Sequence, residues 1–337
     1  MKLRALPCLL LCLLLLSGCT AQAEPVEATF FAMDTIMTLR VYGGGQALLD
    51  RLQGEVLRLE GLWSVTDGDS EIYAANHALG SPVTVSEDTA ALIFQALELG
   101  QDTGGALALT IRPVVQAWGF TTGEYQIPSQ EELDGLLPLV DDSRVELDGT
   151  SRTLPDGAEL DLGAVAKGYT GQHLARLIRE AGVTSALLDL GGNIQTVGCR
   201  PDGDPWRVAV RDPEGEGYAA VLEVEDEAVV TSGGYERYFE QDGVRYWHIL
   251  DPATGQPART GLLSVTVVGP SGTVCDALST ALFVMGPERA ADYWLAREDF
   301  DFLLLHEDGS VTCSEGLEGR LPLSGDWADR EIEVVRR

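Results

Sequence analysis

Asp161-Leu162-Gly163-Ala164-Val165-Ala166-Lys167-Gly168-Tyr169 sets an acid, two small residues, a lysine and a glycine at the head of an amphipathic run. Leu174, Leu177, Ile178 and Ala181 follow at helical spacing and Gly182 stops them, so the motif falls where the chain enters a helix. A helix N-terminus offers unpaired N–H groups and the positive end of the dipole, which suits phosphate. Gly163 and Ala164 let a ligand approach the backbone closely. Lys167 adds a full positive charge, and Asp161 can accept a hydrogen bond from a base or a sugar. The same residues read equally as an ordinary helix cap followed by a surface lysine, and the motif alone does not separate the two.

After this helix, residues 185–190 read as a strand running into Gly191-Gly192-Asn193, which permits close backbone approach or simply a turn. Residues 206–211, 219–224 and 228–231 read as antiparallel strands, and 238–241 with 246–250 as a hairpin about Asp242-Gly243. Residues 262–268 form a further strand, 275–285 and 287–297 two helices, and 300–306 a late strand. Before the motif, 30–42 is strand-rich with a glycine turn behind it. Residues 48–62 and 86–99 are helical, the second capped by Ser86 or Asp88. Residues 121–158 are rich in Pro, Asp and Gly and read as an insertion or link, with a small helix near Glu131. Many strands without regular βαβ alternation make the fold class α+β.

The chain of 337 residues is long enough for one large domain or two intertwined lobes. Its 53 acidic against 23 basic residues, net −30, argue against nucleic acid and against an anionic membrane surface as partner. An anionic nucleotide would need a local device here: a metal ion, a lysine or a helix N-terminus. Lys2 and Arg4, the leucine-rich run 9–16 and Leu16-Ser17-Gly18-Cys19 form a secretory signal too short to span a bilayer. The cysteine after Leu-Ser-Gly resembles a bacterial lipobox, which implies cleavage before Cys19, lipidation of Cys19 and an extracytoplasmic protein tethered to the cell membrane. Past Cys19 only Cys199, Cys275 and Cys313 remain, without Cys-x-x-Cys, so neither a disulfide framework nor a zinc site is indicated. Cys275 reads as a small buried filler.

Asp276 and Thr280 stand four apart on a helix, hence on one face. A carboxylate and a hydroxyl are hard oxygen ligands, which suit Mg²⁺ rather than zinc; the competing reading has Asp276 cap its helix while Thr280 packs. His248 ends a strand and could accept a proton near neutral pH. The adjoining Asp251-Pro252 and Thr254-Gly255 favour a functional histidine, with Asp251 either orienting the ring or making the turn. No Gly-x-Gly-x-x-Gly opens a helix after a strand, and no Gly-x-Ser-x-Gly occurs, so neither a Rossmann site nor a nucleophile elbow is supported.

Taken in order, Met33-Asp34-Thr35, Ser70-Glu71-Ile72 with Asn76, Trp118-Gly119-Phe120, Asp161 to Tyr169, Asp189-Leu-Gly-Gly-Asn193, Thr231-Ser-Gly-Gly-Tyr-Glu-Arg237, His248-Ile-Leu-Asp-Pro-Ala-Thr-Gly-Gln-Pro257 and Asp276-Ala-Leu-Ser-Thr280 resemble the FAD:protein FMN transferase (ApbE) family. The resemblance covers nearly the whole mature chain. It implies a fold related to the T-fold, two intertwined lobes of mainly antiparallel sheets and packed helices. The catalytic domain would span 29–337, after a signal peptide 1–18 and a lipid-anchored tether 19–28. It also implies the reaction: Mg²⁺-dependent transfer of FMN from FAD to a Thr or Ser hydroxyl of an extracytoplasmic electron-transfer flavoprotein, with release of AMP. Asp276, Thr280 and the backbone oxygen of Ala164 match the metal ligands. Met33, Asp161, Lys167 and the main chain of Leu250 match FAD-contacting positions, and His248 matches the residue that activates the acceptor hydroxyl. Two other readings are an FAD pyrophosphatase, with water in place of the acceptor, and a flavin-binding lipoprotein without catalysis. The chain departs from its relatives at Thr66, where many carry an aromatic residue, at Ala108, where many carry an acid, and at Asp34, where glycine is usual.

Overall fold

Apolar alternation builds one large sheet whose strands are taken up in chain order, with helices and smaller ribbons inserted between them. The structure, a computed structural model, describes residues 24–337; the expected signal segment, Cys19 and residues 20–23 lie outside it. Nine strands follow one another across a single sheet in chain order: β1 (Pro25–Ala32), β2 (Thr35–Tyr42), β3 (Ala186–Asp189), β4 (Asn193–Val197), β5 (Ala228–Gly233), β6 (Leu262–Gly269), β7 (Asp301–His306), β8 (Val311–Ser314) and β9 (Ile332–Val335). Neighbours are antiparallel as far as β8, and only β8 and β9 run parallel.

The expected strand-rich stretch 30–42 is two strands. Met33 (φ 47°) and Asp34 (φ 60°) turn the chain between them, with Ala32 opposite Thr35. Both central residues are left-handed, the geometry that favours glycine in a two-residue hairpin. Asp tolerates it better than most residues, which explains how Asp34 serves where glycine is usual. The tether expected over 19–28 is correspondingly shorter: Pro25 to Ala28 are already strand, paired with Leu39 to Tyr42. β8 and β9 had no signal in the sequence, because four residues are too few for alternation to stand out.

The long helices are α1 (Gly45–Trp63), α2 (Glu87–Asp102), α3 (Ala166–Glu180), α4 (Gly272–Met285) and α5 (Pro287–Leu295). Ser86 caps α2 by accepting from Thr89 N–H, whereas Asp88 pairs with Arg58 at 2.6 Å and accepts from Tyr169 Oη–H at 3.0 Å. One core joins Met37 and Leu39 of β2 to Leu52 and Val56 of α1 and Leu174 and Ile178 of α3. A second joins α4 to Val265 and Val267 of β6, Phe302 and Leu304 of β7, and Leu92 and Ile93 of α2. The alternate residues Val268, Leu303 and Leu305 point the other way. They are covered there by the ribbon Trp206–Arg211 and Tyr218–Val224. Nearly every residue of α4 is buried, as expected for a helix apolar on all sides.

Residues 121–158 are packed structure. The helix Gln130–Leu136 begins at a capping box between Ser129 and Glu132. Glu146–Asp148 and Ser151–Thr153 join Val83–Thr84 in a small sheet, and buried Arg152 donates to Ala90 O at 3.0 Å.

Candidate active site

The start of α3 and the start of α4 meet backbone to backbone. A Cβ on Gly168 would lie 2.2 Å from Gly272 O, and a Cβ on Gly272 would lie 2.5 Å from Gly168 O, so only glycine fits at either position. This contact brings the lysine motif to the carboxylate of α4: Gly168 N–H donates to Asp276 Oδ2 at 2.8 Å. Ser271, not Asp276, caps α4, accepting from Val274 N–H at 3.3 Å. Asp276 is therefore free of the capping role and is held, 5% exposed, against Lys167-Gly168.

Burial raises the Asp276 carboxyl above its usual range. Lys167, the Gly168 N–H and the Asn193 amide, which leans towards the carboxylate without closing a hydrogen bond, act against that rise. Among the described residues Lys167 closes no ion pair; a second carboxyl, that of Glu236, is raised by crowding first and by Asp276 as well, with Lys167 and Arg211 acting against the rise. Glu236 keeps contact with solvent, so the recess is open on its side. Thr280 lies one turn beyond Asp276. Its hydroxyl is 3.3 Å from Ser232 Oγ of β5, which in turn meets Ser279 Oγ at 2.8 Å.

The strand expected over 246–250 runs Val244–Trp247, so His248 follows directly after it rather than lying within it. Its N–H donates to Arg237 O at 3.1 Å, and its Nδ1 meets the same carbonyl at 3.2 Å. A carbonyl only accepts, so Nδ1 carries the hydrogen and Nε2 keeps its lone pair. Burial, then Arg237 and Lys167, push the imidazole down to about 4, so it is neutral at pH 7. Asp251 does not orient the ring. Its Oδ1 accepts from Ala253 N–H at 2.9 Å and its carbonyl from Gly255 N–H at 2.8 Å, which makes the turn. Beside His248, Phe120 stacks edge-on at 6.4 Å, and Arg237 donates to Phe120 O at 2.7 Å. Leu250 is buried with Val114, Trp118 and Phe120, which leaves its main chain for any ligand.

Of the expected site residues, Lys167, Asp276 and Thr280 come together at the α3–α4 contact, and Lys167 acts on His248 across the recess. Met33 joins them from the β1–β2 turn. Its N–H donates to Glu60 Oε1 at 2.7 Å, and its sulfur lies 3.9 Å from the Thr170 hydroxyl of α3, which donates to Ala166 O at 2.7 Å. Asp161 lies on the turn into α3 with its N–H on Leu109 O at 2.7 Å; one carboxylate oxygen takes Gly163 N–H at 2.8 Å and the other is left for a ligand. Ala164 is half-buried on the same turn. Sequence reasoning passed over Glu236, although it lies within the Thr231–Arg237 motif, and Ser232 and Asn193, whose positions depend on pairing between distant strands. Asp142 holds the chain that follows Ala108. Its carboxylate takes Leu109 N–H and Thr110 N–H, both at 2.9 Å. Cys275 is fully buried with its thiol pushed well up, which suits a filler.

These donors fit a hard cation. A buried carboxylate with no ion-pair partner among the described residues and a hydroxyl one helical turn away supply oxygen only. The described residues hold no cluster of three His, Cys, Asp or Glu that would suit a softer metal. Lys167 and the N-terminus of α3 add positive charge for an anionic substrate.

A sequence profile of the ApbE family matches residues 33–304. A FAD:protein FMN transferase of Treponema pallidum is 35% identical over 329 residues, covering 90% of this chain and 91% of the relative. One from Escherichia coli K12 is 34% identical, covering 78% of this chain and 77% of the relative. The ApbE protein of Thermotoga maritima superposes with a TM-score of 0.83 at 31% identity, covering 88% of this chain and 99% of that one. The apo form of the flavinyl transferase ApbE of Pseudomonas stutzeri gives 0.80 at 28%, covering 90% and 98%. With Lys167, Asp276 and Thr280 brought together at the α3–α4 contact and its likeness to these proteins running along most of its length, the chain belongs to the ApbE family.

Proposed function

We propose that this protein transfers FMN from FAD to a Thr or Ser hydroxyl of an acceptor protein and releases AMP, with Mg²⁺ held by Asp276, Thr280 and the Ala164 carbonyl. The observation that carries the reading is the junction of α3 and α4, which sets a buried, unpaired carboxylate against a lysine and a helix N-terminus. His248 Nε2, neutral and unpartnered by Arg237, takes the proton of the acceptor hydroxyl. The hydroxyl oxygen attacks the FMN-side phosphorus, the bond from that phosphorus to the AMP oxygen breaks, and AMP leaves with the electron pair. Lys167 and the positive end of the α3 dipole neutralise the pyrophosphate. When bound, Mg²⁺ supplies Lewis-acid charge neutralisation at the phosphoryl oxygens. Asp161 and the main chain of Leu250 hold the ends of FAD, and Met33 closes the site from the β1–β2 turn.

Location is part of the same proposal. The Leu16-Ser17-Gly18-Cys19 stretch supports a lipid-anchored, extracytoplasmic protein acting on a flavoprotein outside the cytoplasm. Among the described residues no helix is long and apolar enough to cross a membrane. The test is AMP release from FAD and Mg²⁺, with and without a candidate acceptor. Release that requires the acceptor supports the transferase. Equal release without it, together with free FMN, marks a pyrophosphatase.

A further inference from the structure

Asn193 opens β4 directly after the Gly191-Gly192 turn and is 2% exposed. Among the described residues, neither its Nδ2 nor its Oδ1 has a hydrogen-bond partner. A buried polar group left this way costs about 1–3 kcal/mol, and native interiors seldom keep one without a role for it. A leucine of similar size would fill the space without that cost.

The surroundings show what the amide faces. Strand alternation puts Asn193 on the same side of β4 as Gln195. That side meets the helices: a Cβ on Gly171 of α3 would lie 3.1 Å from Gln195 Cβ, and one on Gly272 of α4 would lie 3.0 Å from Gln195 Oε1. Asn193 therefore projects into the junction where Gly168 N–H already grips Asp276. The Gly191-Gly192 turn fixes where the asparagine begins. Gly191 has φ 74°, and a Cβ there would lie 2.2 Å from Thr35 Oγ1, so the loop is locked against the β1–β2 hairpin.

We propose that Asn193 is the positioning residue of the Asp276 cation site. With the cation bound, Nδ2–H would turn to the Asp276 carboxylate and fix its plane, which would leave Oδ1 to accept a hydrogen bond from the hydrated ion. Groups that orient a metal ligand in this way are worth about 10–100-fold in metal affinity. The inference rests on the Mg²⁺ reading above.

The test is calorimetric titration of Mg²⁺ alone into the full chain, comparing wild type, Asp276→Asn, Asn193→Leu and Asn193→Ser, with melting temperatures in EDTA alongside. Asn193→Leu should bind Mg²⁺ about 10–100-fold more weakly and should melt in EDTA no lower than wild type, since it removes an unsatisfied amide. A filling role would show the opposite pattern, a lowered melting temperature with Mg²⁺ affinity intact. Asn193→Ser, smaller and still polar, should also lose affinity and carries the test if the leucine variant does not fold. Unchanged Mg²⁺ affinity in both Asn193 variants, with Asp276→Asn impaired, would overturn the role of Asn193 alone. Wild type binding Mg²⁺ no better than Asp276→Asn would overturn the cation site and this inference together.

Discussion

Asp276 carries a charge that the apo fold resists. Burial raises its carboxyl above the ordinary value of 3.8, so the folded state holds a proton that the unfolded state has released. Apo stability should therefore fall as pH rises from that ordinary value through the raised one, and Mg²⁺ should restore it. Asp276→Asn should melt higher than wild type at pH 7 in EDTA, gain little from Mg²⁺, and lose about 100-fold or more in turnover; thermal scans with and without Mg²⁺, beside a turnover assay, check all three. His248 behaves differently. Held down to about 4, its imidazole is neutral across the range where a free histidine titrates, so transfer at saturating FAD should show no inflection near the ordinary value of 6.5. His248→Ala should slow transfer by about 10²–10⁴-fold and leave FAD affinity nearly unchanged, as a rate measurement paired with an equilibrium titration will show. At this scale the sequence was readable where residue type limits chemistry: a hard-ligand pair at helical spacing, a lysine at a helix start, a histidine beside a turn. It was silent on the Nδ1 tautomer of His248, which the Arg237 carbonyl across the hairpin sets, and it left open whether Ser271 or Asp276 caps α4, since both residue types suit that role.

The decisive elements are α3 and α4, and their glycines matter more than their apolar faces. Gly168→Ala would drive a methyl to 2.2 Å from Gly272 O and 2.6 Å from Asp276 Cβ, with backbone on one side that cannot rotate away. The helices must part. The expected cost is about 1–3 kcal/mol of stability, measured by urea unfolding, together with lost Mg²⁺ dependence because the N–H on Asp276 Oδ2 is displaced. A surface reading of the motif predicts a change within ~0.5 kcal/mol instead. Both helices were legible from apolar spacing and stop signals. Their contact was not, because glycine at helix starts has several uses and only the neighbouring backbone tells which applies. The β1–β2 turn shows the same limit. The strand pattern of 30–42 was plain, but Met33 and Asp34 are not residues that announce a left-handed turn, so the break was hidden and the start of β1 was taken for tether.

Across the whole molecule, 53 acidic residues surround a site that takes an anion. The local cations must work against that field, so added salt should speed FAD association at fixed Mg²⁺ by screening the repulsion, with most of the gain complete by about 0.15 M; stopped-flow fluorescence would detect it, and slowing with salt would mean that local cations dominate at long range. The α+β class was legible from the strand-rich order of elements. The single nine-stranded sheet was not, because its closing strands β8 and β9 are short and the parallel pairing between them leaves no local mark. The central claim concerns the whole molecule acting on another protein, and intact mass spectrometry of that acceptor tests it most directly. The acceptor is incubated with the full chain, FAD and Mg²⁺, beside EDTA and Asp276→Asn controls. The account predicts a gain of one FMN, located on a Thr or Ser hydroxyl, in the wild-type Mg²⁺ sample and in neither control. FMN attached equally in EDTA, or by Asp276→Asn, would contradict it.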